Sequence, residues 1–410
     1  MKRRSGARIP PTVWALGAVS MLMDISSEMI HALLPVFMVS VLGASALAVG
    51  LVEGIGEATA SIVKLFSGAL SDRLGKRKFL VVLGYGLGAL SKPLFAVAPT
   101  VGWVLAARFA DRVGKGIRGA PRDALIADVA LAADRGAAFG LRQALDTLGA
   151  LAGPLLAIGL LALFAGEMRA VFWCAIVPGA AAVAVLILFV REPERAAVPP
   201  AAALPPAVAE RPRFRWRDLA GLGRPFWAVA LLGVAFTLAR FSEAFLVLRA
   251  EGVGLPLAWV PLVLVAMNLV FAATAYPAGA ISDRIDRRVV LAVGLGVLIA
   301  ADIVLALATN LFAAFAGIAL WGLHMGLTQG LLSALVADAA PPARRATAFG
   351  WFNLLSGVVL LSASLIAGAL WQWAGPAAAF WAGGAFAALA LAGLAAWLLR
   401  RAKSARAQRG

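Results

Sequence analysis

This chain has little of what enzymes and secreted proteins rely on. One cysteine in 410 residues, Cys174 in an apolar run, excludes a disulfide framework within one chain and reads as buried filler. Only two histidines occur, His31 and His324, and no Gly-x-Ser-x-Gly or His-Glu-x-x-His constellation. Charge is scarce at 14%, against about 25% in soluble domains. No sizeable polar domain exists in which catalysis or signalling would sit. A membrane enzyme or receptor is thus the remote alternative, and the chain reads as no enzyme.

What is present is oil. Hydrophobic residues make up 62% of the chain and the mean hydropathy is +0.90. Apolar runs of about 18 residues or more, enough for a hydrocarbon core of roughly 30 Å, recur throughout. The expected fold is an all-α polytopic membrane protein with twelve transmembrane helices. The spans fall at 12–40, 47–70, 79–98, 102–127, 136–164 and 169–190, then at 225–249, 257–281, 288–308, 311–338, 345–373 and 377–399. Residues 1–190 form one six-helix bundle and 225–410 the other, ending in a basic tail. Between them, 191–224 carries six prolines with many Ala and Arg and reads as an extended cytoplasmic linker. Lys2–Arg8 and the run behind it imitate a signal peptide. That run passes Asp24 and Glu28 without a cleavage site, so it is kept as a span.

A net charge of +16 would suggest nucleic acid in a soluble protein. Here Lys and Arg gather on alternate connections: the N-terminus, Arg73–Lys78, Arg135, 191–224, Arg284–Arg288, Arg344–Arg345 and the tail. The other connections are neutral or carry a single arginine, Arg169 or Arg249. This positive-inside pattern puts both termini in the cytoplasm and the protein in the cytoplasmic membrane, with lipid and not nucleic acid as its surroundings.

The halves repeat. Ser71-Asp72-Arg73 returns as Ser282-Asp283-Arg284 at an offset of 211. Ala127-Asp128 returns as Ala337-Asp338, and Arg135…Ala138-Phe139-Gly140 as Arg345…Ala348-Phe349-Gly350, both at 210. Ser27-Glu28 returns as Ser242-Glu243 at 215. Two pseudo-symmetric six-helix bundles are the layout of a rocking transporter with its site between the halves.

The charges inside the spans are candidates for that site. On a helix Arg108, Asp111, Arg112, Lys115, Arg118 and Arg122 share one face. With Lys64, Lys92, Arg142 and six further acids they make fifteen ionisable groups in spans one to five. Facing lipid they would cost on the order of 40 kcal/mol, so they pair or line water. Arg118, Arg122 and Asp123 read as residues of the cytoplasmic mouth. Asp24, Glu28 and His31 share a face of span one, just before Pro35. That face suits proton binding, ligation of a divalent metal, or neutralisation of the arginines of span four. Glu53 and Glu57 serve any of the three. Arg142, Gln143 and Asp146 read as a self-paired set or as cavity wall, and Lys92 as snorkelling or ion-paired. The second half offers Arg240, Glu243 and Asp302 within its spans, with the polar residues Asn268, His324, Gln329 and Asn353.

These residues carry a family resemblance. Gly68-Ala-Leu-Ser-Asp72-Arg73-Leu-Gly-Lys-Arg-Lys78 closely resembles the signature loop of the major facilitator superfamily. Gly279-Ala-Ile-Ser-Asp283-Arg284-Ile-Asp-Arg-Arg288 is a degenerate copy, with Asp286 where the first has glycine. The resemblance implies a cytoplasmic gate at Gly68, Asp72, Arg73, Asp283 and Arg284. Gly149-Ala-Leu-Ala-Gly153-Pro154 is similar to the antiporter motif of the drug and proton exchangers, a close-packing and helix-bending element. Arg108, six residues before Gly114, has the spacing of the arginine in span four of such exchangers, with Arg112 where they have glycine. By this resemblance to the antiporter-like prokaryotic branch, the chain is expected to be a monomeric secondary transporter working by alternating access. Its expected activity is export of a small anionic, zwitterionic or amphiphilic molecule, driven by the proton gradient without a cofactor. Asp24 and Glu28 would couple the proton. His31, Glu53, Glu57, Arg108, Arg112, Lys115, Arg142, Asp146, Arg240, Glu243 and His324 would line the cavity. The alternative cargo is a divalent metal or metal complex at Asp24, Glu28 and His31.

Overall fold

The computed structural model describes residues 9–74, 76–131, 134–192, 222–282, 285–340 and 345–407. Every regular element among them is helical. The first half holds α1 (Pro11–His31), α2 (Ala46–Leu74), α3 (Arg77–Ala96), α4 (Val101–Val129), α5 (Arg135–Leu163), α6 (Met168–Cys174) and α7 (Ile176–Phe189). The second holds α8 (Gly223–Ala239), α9 (Ala244–Gly252), α10 (Leu262–Ser282), α11 (Arg287–Leu307), α12 (Leu311–Ala339), α13 (Arg345–Ala374) and α14 (Pro376–Ala407). Helices α6 with α7, and α8 with α9, make single spans, so each half supplies six. Most of the linker expected at 191–224 lies outside the described residues.

Among the described residues, eleven spans are long and apolar enough to cross a membrane. The missing one is α4. It is 29 residues long, but its arginines and carboxylates spoil its apolarity.

Two spans expected to be continuous are interrupted. Span one leaves the α-helix at Ala32, and continues as one turn at Leu34–Val36 and a π turn at Phe37–Val41. Pro35 has no N–H, so the His31 carbonyl loses its helical partner. Span seven breaks at 240–243 with no proline or glycine. There α13 supplies the missing bond: the Ser242 amide donates to Ser364 Oγ at 3.2 Å.

Each half ties the start of its third span to the end of its fourth. Arg77 pairs with Asp128 and donates to the Ala124 carbonyl at 2.6 Å. At the same offset of 210, Arg287 pairs with Asp338 at 2.6 Å. The repeat of Ala-Asp thus has a structural cause. These arginines mark a basic face, where α1 begins and α2 and α4 end.

The two arginines on the opposite face cap helices. Arg169 donates to the Ala96 and Ala98 carbonyls at 2.9 and 2.8 Å, at the end of α3. Arg249 donates to Leu305, Ala306 and Ala308 at the end of α11. A cation beside exposed carbonyls at a helix C-terminus is favourable, which accounts for both departures from the neutral pattern.

The halves meet along α2 and α13, where glycines permit close approach. A Cβ on Gly357 would lie 2.7 Å from Ser61 Cβ, and one on Gly368 2.9 Å from Leu47 Cα. One apolar core runs through both halves, joining Leu33, Phe37, Val49 and Phe172 to Phe241, Phe245, Val260 and Val263, and reaching Leu291, Val336 and Ala340 at the basic face of the second half. At the basic face a second core, with Val13, Leu16, Tyr85, Ile126 and Leu186, belongs to the first half alone.

Candidate functional site

Where the halves part, a cavity of about 400 Å³ lies between them, on the basic-face side of the middle. From the first half it is lined by Asp24 of α1, Lys64 of α2, Lys115, Arg118 and Arg122 of α4, and Gln143, Asp146 and Thr147 of α5. Asn268 and Phe271 of α10 and Asn353 of α13 close it from the second half. Four cations and two carboxylates face this space, and every one of them belongs to the first half.

The cationic helix α4 divides into two parts. Its upper charges are consumed in pairs. Arg108 Nη2 donates to Glu53 Oε2 at 2.6 Å, with both side chains 3% exposed or less. Glu53 also lies 3.5 Å from His31 Nε2, and His31 Nδ1 lies 3.3 Å from Glu28. Arg112 reaches Glu57 at 3.1 Å, and Asp111 holds Lys92 at 2.7 Å. This buried network joins α1, α2, α3 and α4 above the cavity. Each charge costs several kcal/mol to bury alone, so the pairs are a condition of the fold. Lys92 is ion-paired and does not snorkel.

The lower charges face the cavity. Arg118 stacks on the Tyr85 ring with its guanidinium carbon 4.5 Å from the centroid. Arg122 donates to Ser20 Oγ at 2.8 Å and meets Asp123 at 3.1 Å. Arg142 holds Asp146 at 3.2 Å, Gln143 at 2.7 Å and Asp123 at 3.4 Å. Asp24 stands within Coulombic reach of Asp146, Arg118 and Lys115.

The glycines of α5 explain how α1 presents its acids. A Cβ on Gly149 would meet Asp24 Cβ at 3.0 Å, and one on Gly153 would meet Glu28 Cβ at 2.8 Å. The Gly149–Pro154 segment is therefore the bed on which Asp24 and Glu28 lie, and α5 runs through Pro154 without interruption.

Arg240 and Glu243 sit at the break between α8 and α9 and face the network across the interface. Glu243 is within Coulombic reach of His31, Arg240, Glu28 and Glu57. His324 does not line the cavity as expected. It is 1% exposed, and its Nδ1–H donates to the Gly294 carbonyl at 2.8 Å, filling the packing of α12 on α11. At the basic face Gly68 packs towards Ala120. Asp283 and Arg284, and the side chains of Asp72 and Arg73, lie outside the described residues. Asp24, Glu28 and His31 do not converge as a metal site: His31 contacts Glu28 and Glu53, and no cluster fit to hold a metal occurs among the described residues.

Arg118 and Arg122, read from the sequence as residues of the mouth, belong to the cavity wall; Lys64, Asn268 and Asn353, noted in the spans but not assigned to the cavity, line it too. A signal for the arginines existed, because they continue the stripe of Arg108, Arg112 and Lys115.

Comparison with known proteins decides the family. The family model of the Major Facilitator Superfamily matches residues 16–274 and again 244–410. The chain belongs to the Major Facilitator Superfamily. Within it, the chain is 32% identical over 379 residues to an uncharacterised MFS-type transporter of Methanocaldococcus jannaschii, covering 88% of each. A shorter likeness, 31% over 144 residues and 35% of each chain, links it to the multidrug resistance protein MdtH of Cronobacter sakazakii. Among solved structures, a POT family transporter in complex with 5-aminolevulinic acid has the same fold, at TM-score 0.77 and 12% identity, over 95% of this chain and 96% of that one. The protein is a multi-pass membrane transporter and not an enzyme.

Proposed function

We propose that this transporter works by alternating access as a proton-coupled exporter of small organic anions or zwitterions. The observation that carries the reading is the cavity wall: Lys64, Lys115, Arg118 and Arg122 against Asp24 and Asp146, with the matching surface of the second half uncharged. In a cleft with low-dielectric walls the excess positive charge favours a carboxylate, phosphate or sulfonate group. Asp24 is the coupling acid. No ion pair holds it among the described residues, whereas Glu28 is engaged by His31, and the cations that would receive a substrate anion lie beside it. A bound anion and a bound proton on Asp24 then act on the same local charge, which lets one exchange for the other. The partial likeness to MdtH supports efflux as the direction. In this reading the basic face is cytoplasmic and the conformation is open to the inside.

Inverted vesicles energised with a pH gradient test the reading. Adding a transported anion should dissipate the gradient, and Asp24→Asn should remove the response. A panel of organic anions, zwitterions and amphiphiles that leaves the gradient untouched would refute it.

A further inference from the structure

Lys92 and Asp111 stand 210 residues before Asp302 and Trp321, the same offset that relates Asp128 to Asp338. In the first half the two positions form an ion pair at 2.7 Å, and Lys92 also donates to Ser27 Oγ at 2.9 Å. In the second half α11 carries a carboxyl there and α12 an indole. Asp302 is 0% exposed, and neither of its oxygens has a hydrogen-bond partner among the described residues. Trp321 is equally buried, and its Nε1–H has no acceptor among them. A buried indole N–H ordinarily finds one.

Both side chains surround Phe241, which sits in the break between α8 and α9. The Phe241 ring is 5.2 Å from that of Trp321. Asp302 Oδ2 and Phe241 Cε1 lie 2.9 and 3.0 Å from the point where a Cβ on Gly383 would stand. The groups around Asp302 offer it no charge. From α12 comes Trp321, while the Nδ1–H of His324 is committed to Gly294. From α14 come Gly383 and Gly384. At the break Arg240 and Glu243 flank Phe241, but no charged group acts on the Asp302 carboxyl.

An ionised carboxylate left alone in such a place would cost several kcal/mol, and the inexpensive solution is a bound proton. We propose that Asp302 is a second proton-binding site, occupied in this conformation and emptied in the alternate one. There the Trp321 N–H supplies the hydrogen bond that Lys92 supplies to Asp111 in the first half. Phe241, against the Trp321 ring and beside Gly383 with Asp302, is continuous with Arg240 and ties the change to the broken span that faces the network. The inference stands on the transport cycle and not on Asp24 or Glu28 as coupling acids.

Infrared absorption of the purified full-length protein at neutral pH tests occupancy. Wild type minus Asp302→Asn should show the carbonyl band of a protonated carboxylic acid, shifted in deuterated water; a difference spectrum without that band overturns the proposal. The alternate state is followed with a single reporter, Thr147→Cys in a Cys174→Ser background, labelled across a pH series. Labelling should fall as pH rises and Asp302 empties, and should lose this dependence in Asp302→Asn. Trp321→Phe keeps most of the ring and removes the donor. It should move the midpoint about one pH unit to the alkaline side, tenfold in proton affinity, as loss of one charge-assisted hydrogen bond implies. An unmoved midpoint overturns the role of Trp321 even if Asp302→Asn fails to fold. A carboxyl band in a protein whose vesicles never dissipate a gradient refutes proton coupling but not this site.

Discussion

Removing either partner of the Lys92–Asp111 pair should destabilise the transporter unequally, and the structure states by how much. Both side chains are 6% exposed or less, and they meet at 2.7 Å. Breaking a buried pair costs about 3–5 kcal/mol, mostly because a charge is left behind. Lys92→Met leaves Asp111 with Arg112 at 3.9 Å and the Ser91 hydroxyl at 3.4 Å. At an effective dielectric of about 20, a partner near 4 Å retains about 4 kcal/mol of attraction, against about 6 at 2.7 Å. Its loss should therefore be the smaller, about 2–3 kcal/mol. Asp111→Asn leaves Lys92 with only the Ser27 hydroxyl and a half-matched amide, and should cost about 4–5 kcal/mol. The double variant Lys92→Met with Asp111→Leu should return to within about 2 kcal/mol of wild type, since Arg112 keeps Glu57 at 3.1 Å. Asp302 and Trp321 show that this fold packs the same two positions without an ion pair. The assay is the melting midpoint in detergent at a fixed heating time, compared across the four proteins, because such unfolding is irreversible. At roughly 2 °C per kcal/mol the losses are about 4–6 °C and about 8–10 °C. Additive losses, with the double variant the least stable, would refute the reasoning.

Asp24→Asn should leave the melting midpoint within about 2 °C of wild type, because no ion pair among the described residues holds Asp24, while abolishing the proton response in vesicles. Gly153→Ala should cost about 1–3 kcal/mol, because its Cβ would come 2.8 Å from Glu28 Cβ and 2.9 Å from the Ile25 carbonyl; thermal denaturation measures the loss. Arg249→Ala uncaps α11 and should lower stability by about 1.5–3 kcal/mol, with substrate-driven proton movement per folded molecule unchanged.

Much of the fold is legible in the chain because a bilayer leaves few choices. A run such as Arg287–Leu307 can satisfy its backbone in hydrocarbon only as a helix, so hydropathy alone located it. The repeat of Asp128 as Asp338 announced two related halves, and each aspartate binds the arginine that begins its third span. Local chemistry marks Pro35, which has no N–H, as a bend in span one, though not as an end of the α-helix. It did not foretell the break at Arg240–Glu243, where the compensating hydroxyl comes from Ser364, 122 positions away.

The site was legible as an inventory and not as an arrangement. Sequence determined that fifteen charged groups lie in the spans of the first half and few in the second, and that they must pair or meet water. It determined too that α4 carries a cationic stripe. Only tertiary structure decided that Arg108 and Arg112 are spent on Glu53 and Glu57, while Lys115, Arg118 and Arg122, on the same stripe, face the cavity. The difference is which helix lies opposite each turn of α4, and periodicity along one helix contains no information about its neighbours. The same holds for His324 and Asp302: each is a polar residue in an apolar run. Packing gave the histidine a carbonyl and left the carboxyl with no partner among the described residues.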